Sequence, residues 1–184
     1  MERGTSMAKI TLAISGSISA YKAADLTSQL TKLGHQVTII MTKAATEFIT
    51  PLTLQSLSKN FVHTDLMLEE NPAWIKHIDV AKETELFLVA PASTNTIAKL
   101  AHGLADDMLS AVALAIPEGV PKLIAPAMNT NMYLNLATQD NLKKLARYGY
   151  IEIKPREALL ACGDFGTGAL AEIDIILEKV KEAL

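Results

Sequence analysis

The regular alternation of short apolar runs with segments of helical spacing constrains the fold of this chain more than any other feature. Residues 9–15, KITLAIS, form one apolar run, which is typical of a strand buried on both faces. Apolar side chains then recur three or four positions apart, at Ala23, Leu26, Leu30 and Leu33. This spacing marks one face of a helix, and Gly34 follows where a glycine commonly ends one. The segment predicts a buried strand and a helix that packs on it.

The same alternation continues along the chain. Further strands are predicted over residues 36–41, 86–91, 121–127 and 150–153, and further helices over residues 94–101, 109–116, 134–149 and 172–184. Strands that alternate with helices are typical of a parallel sheet covered on both faces. We therefore predict an α/β fold, a three-layer Rossmann-like (flavodoxin-like) open parallel sheet, in a single domain over residues 9–184. Residues 50–74 are the segment for which the sequence gives the weakest basis for assigning a helix or a strand.

Length and composition exclude several classes of protein. The chain has 184 residues, of which 49% are hydrophobic and 20% charged, as in a globular domain. Its net charge of −3 argues against a nucleic-acid partner, and no apolar run approaches the roughly 18 residues of a membrane span. One cysteine permits no intrachain disulfide, and residues 1–10 lack the apolar region of a secretory signal. We expect a cytoplasmic protein with a disordered or non-native extension over residues 1–8, in which Met7 could be the natural start.

Polar and small residues follow four of the predicted strands. The strand ends read SGSIS, TKAAT, APASTNT and APAMNTNM. Ligands of open parallel sheets bind beyond the carboxyl ends of the strands. One such end could be an ordinary turn, but four together predict a ligand site.

The first two strand ends indicate a mononucleotide rather than a dinucleotide. A dinucleotide site would have G-x-G-x-x-G after the first strand and an acid after the second. Here the first turn has Gly16 among serines, and the second strand ends in Thr42 and Lys43. Short hydroxyls and backbone amides at a helix start suit a terminal phosphate. The same serines could instead serve only to cap the helix.

The segment PASTNT, residues 91–96, is more specific. Its proline ends a strand, and four polar residues then begin a helix. Among them, Asn95 offers both a donor and an acceptor, as recognition of a flat heterocycle requires. Beyond this helix, Asp106 and Asp107 either cap the next helix at Met108 or contact the ligand, and both alternatives stay open.

Five stretches in a fixed order resemble the flavin-containing cysteine decarboxylases. They are GSISAYK, HIDVA, PASTNTIAKLAHGLADD, PAMNTNMY and ACGDFGTG, and the resemblance runs from Lys9 to the C-terminus. It implies FMN as the cofactor, in agreement with the mononucleotide prediction. The residues that it assigns to FMN are Gly16, Ser17, Ile18, Thr42, Ser93, Thr94, Asn95, Thr96, Asp107 and Ala127.

The resemblance also implies a reaction and an assembly. The expected reaction converts phosphopantothenoylcysteine to phosphopantetheine in coenzyme A biosynthesis. The cysteine side chain is oxidised by the flavin to a thioaldehyde, CO2 leaves, and the enethiolate is reduced again and protonated. The family forms homotrimers or homododecamers with FMN between subunits. Since the chain ends after the decarboxylase part, we expect the stand-alone form rather than a fusion to a synthetase.

Two residues are predicted to carry the chemistry. Cys162, the single cysteine, lies in a glycine-rich stretch that we interpret as a mobile flap, with an acid two residues later. A thiol is mostly protonated at neutral pH, so Cys162 is assigned as the proton donor. His77, just before a predicted strand, is assigned to general-base work or to stabilising charge as the flavin is reduced. No metal-ligand spacing links the histidines, so no metal is expected.

The substrate site follows from the same resemblance. Asn129 is expected to hold the substrate carboxylate, because an amide orients this group without a full positive charge that would oppose CO2 loss. Met132, Ala161 and Leu170 complete the predicted substrate site. Ordinary core packing is an equally good explanation for the methionine.

Two positions depart from the family, and two other functions compete. Tyr133 stands where the family commonly has tryptophan, and we expect its packing to survive. Ala169 and Leu170 stand where many relatives have arginine and methionine, which puts in doubt any phosphate or backbone contact of that arginine. A peptidyl-cysteine decarboxylase shares the histidine and asparagine, whereas flavin prenyltransferases lack the set. A phosphatase-regulating relative would typically carry an acidic extension.

Overall fold

The computed structural model describes residues 7–68 and 75–184. Within them, the central sheet consists of β1 (Lys9–Ile14), β2 (Gln36–Met41), β3 (Val62–His63), β4 (Leu86–Ala92), β5 (Lys122–Pro126) and β6 (Tyr150–Glu152). The strands are all parallel and lie in the order β3-β2-β1-β4-β5-β6. The chain builds one half of the sheet outward from β1 and the other half from β4. The carboxyl ends of these two neighbouring strands therefore form the crevice where ligands bind in such folds.

Helices cover both faces of the sheet. They are α1 (Ala23–Lys32), α2 (Lys43–Thr46), α3 (Pro51–Ser58), α4 (Lys76–Glu83), α5 (Thr94–His102), α6 (Met108–Ala115), α7 (Thr130–Leu134), α8 (Leu136–Arg147) and α9 (Ile173–Ala183). Helix α1 packs with α3 and α9, whereas α4 packs with α6, and α5 with α6 and α8. Every residue of β4 is buried; Leu86 and Leu88 belong to one core cluster, and Phe87 and Val89 to the other. Two cores on opposite faces confirm the predicted three-layer α/β fold.

Local signals placed several helix ends correctly. Gly34 and Gly149 follow α1 and α8 with φ of +91° and +85°, left-handed values that glycine adopts most readily. The helix predicted over residues 134–149 begins later, at Leu136, because Asn135 caps it and accepts a hydrogen bond from the Ala137 amide at 3.0 Å. Residues 50–74, which had no assignment, contain α3 and β3.

The predicted mobile flap is a β-hairpin. Strands β7 (Arg156–Leu159) and β8 (Phe165–Ala169) pair antiparallel, and Cys162 lies in the turn between them. The glycines serve close packing: a Cβ on Gly168 would lie 2.2 Å from the Met128 carbonyl oxygen. The Met128 amide donates to the Gly168 carbonyl at 2.9 Å. The sequence prediction missed these two strands, because glycine and alanine give little strand signal and the pairing is decided by the neighbouring backbone.

The placement of His77 just before a strand was also wrong. It lies in the first turn of α4, and β4 begins only at Leu86. The Ile75 amide, at the start of this helix, donates to the Asp79 carboxylate at 3.0 Å. A side-chain acceptor for a free amide at a helix start stabilises the helix, and this local contact does not show as an apolar period.

Ala8, just before β1, packs with the folded part of the chain. Ala8 is buried, its amide donates to His35 Nδ1 at 3.3 Å, and its carbonyl accepts from the Gln36 amide at 2.9 Å. The rest of the proposed extension, residues 1–6, lies outside the described residues, and the domain boundaries stay a prediction. Within residues 7–68 and 75–184, no helix has the length and apolarity needed to cross a bilayer.

Candidate functional site

A cavity of about 420 Å³ lies at the carboxyl ends of β1, β4 and β5, where the hairpin β7–β8 folds over them. This volume is in the range of small-molecule sites. Of the predicted residues, the cavity brings together Gly16, Ser17, Ile18, Ser93, Thr94, Ala127, Asn129, Met132, Ala161, Cys162 and Leu170. Sequence positions from five separate segments therefore converge on one crevice.

Five predicted residues do not line this cavity: Thr42, His77, Asn95, Thr96 and Asp107. The Thr42 hydroxyl accepts from the Ala45 amide at 3.2 Å and caps α2. Thr96 is buried beneath the start of α5, and Asn95 is exposed on the same turn. Because consecutive helix positions point in different directions, a polar run at a helix start cannot all face one ligand.

Asp107 is held by contacts within the chain. Its Oδ1 accepts from the Ser110 amide at 2.8 Å, and Lys99 Nζ lies 2.8 Å from its Oδ2. Burial alone would raise the pKa of Asp107, but the hydrogen bonds from Lys99 and Ser110 outweigh burial and lower it. Asp106 also contacts Lys99, at 2.7 Å, and the two hydrogen bonds raise the pKa of this lysine. These contacts favour the capping alternative over the ligand role.

Short backbone and hydroxyl contacts fix the turns after β1 and β4. Ser15 Oγ donates to the Pro91 carbonyl at 2.8 Å and accepts from the Ser93 amide at 2.7 Å. Ser17 Oγ donates to the Ala127 carbonyl at 3.3 Å, so it links the first turn to the segment after β5. A Cβ on Gly16 would lie 2.5 Å from that of Ala44, which explains the glycine by close packing. Hydrogen bonds between the turns after β1, β4 and β5 therefore fix this wall of the cavity.

Asn129 and Cys162 are in contact. Asn129 Oδ1 accepts from the Asn131 amide at 2.8 Å, which directs Nδ2 to Cys162 Sγ at 3.4 Å. The thiol donates in turn to Asp164 Oδ2 at 3.3 Å. The sequence prediction gave Asp164 no role, although its position two residues after the cysteine was a visible signal. The arrangement places an amide donor and a thiol side by side in the cavity lining.

Arg156 is a site residue that the sequence prediction missed. Lys22 and Arg156 are the charged residues that line the cavity, and no acid is among the described residues that do so. Arg156 pairs across the hairpin with Ala169, the position where an arginine was expected. Its Nε lies 2.8 Å from Glu172 Oε1, an ion pair without hydrogen-bond alignment. Only the strand register reveals this position, so no local sequence signal identified it.

His77 lies apart from the cavity, on α4. Its Nδ1 is buried and has no hydrogen-bond partner among the described residues. No cluster of histidine, cysteine and acidic side chains within residues 7–68 and 75–184 could hold a metal.

Tyr133 keeps the packing expected of an aromatic residue at its position. It is buried in the core cluster that covers β5, and its hydroxyl donates to Glu152 Oε1 at 2.9 Å. Burial and this hydrogen bond raise the pKa of Tyr133 to about 12. Tyr133 therefore anchors α7, the helix that Asn129 caps.

A second cavity, of about 400 Å³, lies near the start of β1, between β3 and α4. Its lining includes Lys9, Thr11, Phe61 and Asp79, and none of the predicted site residues is among the described residues that line it. It also lies away from the carboxyl ends of β1 and β4. The predicted site residues therefore line the first cavity and not the second.

The chain is similar to known proteins over almost all of its length. The family model described as Flavoprotein matches residues 2–184. The chain is 58% identical over 176 residues, 96% of this chain and 98% of the other, to the "Probable phosphopantothenoylcysteine decarboxylase" of Streptococcus mutans serotype c. It is 47% identical to the coenzyme A biosynthesis bifunctional protein of Bacillus subtilis, over 92% of this chain and 41% of that protein.

Solved structures show the same fold. A cysteine-to-serine mutant of PPC decarboxylase, complexed with pantothenoylaminoethenethiol, matches with a TM-score of 0.87 and 31% identity, over 96% of this chain and 97% of that one. The FMN-dependent cysteine decarboxylase SpaF matches with a TM-score of 0.84 and 25% identity, over 96% of this chain and 94% of that one.

Proposed function

Because the chain belongs to the Flavoprotein family, we propose that it decarboxylates phosphopantothenoylcysteine to phosphopantetheine, with FMN, in coenzyme A biosynthesis. The observation that carries this proposal is the contact of Asn129 with Cys162, both of which line the cavity at the carboxyl ends of the strands. The full-length similarity to the Streptococcus mutans protein supports the substrate.

The residues of the cavity fit FMN. Gly16, Ser17 and Ile18 offer amides and a hydroxyl for its phosphate, and Ser93 and Thr94 offer hydroxyls opposite them. The Ala127 backbone would lie against the ring system. Lys22 adds a positive charge on the same side, and no acid is among the described lining residues to oppose the phosphate. When bound, FMN supplies two-electron oxidation and reduction, so the reaction has no net redox change.

The chain's own residues orient the substrate and move a proton. Asn129 Nδ2 donates to the substrate carboxylate and fixes it without a full positive charge, so the ground state is not stabilised against loss of CO2. Met132, Ala161 and Leu170 exclude water around the reacting carbon. The Cys162 thiol then donates its proton to the carbon that CO2 has left. Asp164 accepts a hydrogen bond from this thiol and positions it.

The proposed histidine role requires a second copy of the chain. His77 does not line the cavity of one chain, and its Nδ1 has no partner among the described residues. We include in the proposal a homotrimer or homododecamer in which His77 of one chain approaches the cavity of another. Large apolar side chains such as Phe61, Met67 and Leu68 are more than half exposed in the single chain, which supports a contact between copies.

The cytoplasm is the proposed compartment. Cys162 is a free, exposed thiol. Such a thiol persists in a reducing compartment, where disulfides rarely form.

The deciding experiment is a mass-spectrometric assay of purified, FMN-loaded protein with phosphopantothenoylcysteine. We expect phosphopantetheine, with the loss of one CO2. Bound flavin without turnover would overturn the proposal and would favour a peptide substrate or a regulatory binding protein. The matched control is the Cys162→Ser variant, which should bind the flavin and release no phosphopantetheine.

A further inference from the structure

We propose that Arg156 binds the terminal phosphate of the substrate and thereby sets a preference for the phosphorylated over the unphosphorylated form. The proposal rests on the proposed decarboxylation and concerns the end of the substrate remote from the reacting cysteine. It assigns a specificity-determining role to a residue on β7 that the similarity to known motifs did not identify.

Two cations serve two anionic ligands in this cavity. Lys22 belongs to the 3₁₀ helix Ile18–Lys22, directly after the turn proposed for the FMN phosphate. Arg156 belongs to the hairpin, which also carries Cys162. Lys22 therefore lies beside the residues proposed to bind FMN, and Arg156 lies on the hairpin proposed to bind the substrate. The cavity has no acid among its described lining residues, and the carboxylate that contacts Arg156 is that of Glu172, at Nε.

The hairpin places Arg156 and the Cys162 thiol at its two ends, so that two ends of one extended substrate could reach them. Arg156 lies at the base of β7, and Cys162 lies in the turn at the other end. Three strand residues alone span about 10 Å, at about 3.3 Å per residue. Arg156 and Ala158 both line the cavity, as alternate residues on one face of a strand do. An extended substrate with its cysteine at Cys162 would thus bring its other end, the phosphate, toward Arg156.

The guanidinium suits a phosphate better than the reacting carboxylate. Arginine presents a planar fork of donors that matches phosphate oxygens. A cation on the carboxylate would stabilise the substrate before CO2 leaves and would slow the reaction. The cross-strand partner of Arg156 is Ala169, whose small side chain leaves room above the strand. Glu172 lies against Nε, on one edge of the guanidinium, so the two Nη groups form the edge that meets the phosphate.

The test compares two substrates in Arg156→Ala and the wild type. With phosphopantothenoylcysteine we expect kcat/KM to fall about 10- to 100-fold, mainly through KM, because a charge-assisted hydrogen bond is lost. With unphosphorylated pantothenoylcysteine we expect a change of less than about twofold. Arg156→Lys should retain part of the preference, since it keeps the charge and loses the fork. The affinity for FMN should not change.

Glu172→Gln is the matched control. It removes the ion pair but keeps the cation, so it should keep the preference for the phosphorylated substrate. An equal loss with both substrates in Arg156→Ala, or the same loss in Glu172→Gln, would overturn the proposal in favour of a structural role for the ion pair. Loss of FMN would instead assign Arg156 to the cofactor.

A binding measurement separates this proposal from the proposed function. Titration calorimetry of FMN-loaded protein with phosphopantetheine and with pantetheine needs no turnover. The wild type should bind the phosphorylated compound more tightly, and Arg156→Ala should bind both equally. If the wild type makes no product, the proposed function fails, and the two affinities still decide the role of Arg156.

Discussion

The two walls of the cavity are built in different ways. The turns after β1 and β4 follow fully buried strands and are tied together by Ser15, whose hydroxyl contacts both Pro91 and Ser93. The opposite wall is an exposed two-stranded hairpin, held at its base by backbone contacts such as that of Met128 with Gly168. We propose that this difference divides the labour: the strand ends, here called the cofactor wall, hold FMN, and the hairpin selects and protonates the substrate. Substitutions in each wall should separate the two functions.

The largest effect is expected in the hairpin. Cys162→Ser removes the thiol proton donor, so kcat should fall about 100- to 10,000-fold, as for loss of a general acid. FMN should bind as in the wild type, because the cofactor wall is untouched. Rapid quenching and mass spectrometry should show an oxidised, decarboxylated enethiol that accumulates. Normal turnover would remove the donor role from Cys162 and weaken the division between the walls.

A residue outside both walls tests whether one chain is sufficient. His77→Asn should reduce kcat about 100-fold while FMN is retained, because a proton-transfer group is lost. Mixing this variant with Cys162→Ser under conditions of subunit exchange should restore part of the activity, if the histidine of one copy serves the cavity of another. A colourless His77→Asn protein would show that the histidine is structural instead.

The docking of the hairpin can be broken at its base. Gly168→Ala places a Cβ against the Met128 carbonyl, a backbone atom that cannot rotate away. We expect a loss of about 1–3 kcal/mol in the free energy of unfolding, measured in urea, together with a higher KM for the substrate. Gly166→Ala is the companion variant: its Cβ would meet the Thr130 side chain rather than a backbone atom, so a smaller loss is expected. Equal stability of Gly168→Ala and the wild type would contradict the docking argument.

The boundary between the walls is sensitive to charge. Asn129→Asp should raise the dissociation constant of the substrate about tenfold, or about 1.4 kcal/mol, because two carboxylates are brought together. Asn129→Ala removes the amide without adding a charge and should lose less affinity. Calorimetry of both variants with bound FMN measures this difference. Unchanged affinity in Asn129→Asp would remove the residue from the carboxylate site.

The smallest effect on the free energy of unfolding is expected at Asp107, which caps α6 and does not line the cavity. Asp107→Asn should lower the free energy of unfolding by about 1 kcal/mol at neutral pH, since it loses the ion pair with Lys99. The lowered pKa of Asp107 means that its carboxylate stabilises the fold above the usual aspartate pKa, and that this contribution is lost as the pH falls through the lowered pKa. Urea unfolding should therefore show a difference that shrinks in acid. A fall in FMN affinity would revive the ligand role.

Much of the cofactor wall could be predicted from the sequence. Gly16, Ser93 and Ala127 each follow a strand that its own apolar run identifies, and strand ends of a parallel sheet meet at one edge. Asn95 and Thr96 do not line the cavity, because which side of a helix start faces it depends on how that helix packs. His77 was placed just before a strand although it lies in α4, whose first turn is closed by the contact of the Ile75 amide with Asp79.

The sequence by itself determined the layers of this protein, the strand ends and which side chains are candidates for the chemistry, because these depend on the period of apolar residues and on local chemistry. The tertiary structure alone decided that the glycine-rich segment pairs into a hairpin, that Arg156 lies opposite Ala169, and that Asn129 contacts Cys162. Those features depend on register and on packing between segments distant in the chain. A local pattern contains no information about which distant backbone will supply the hydrogen bonds.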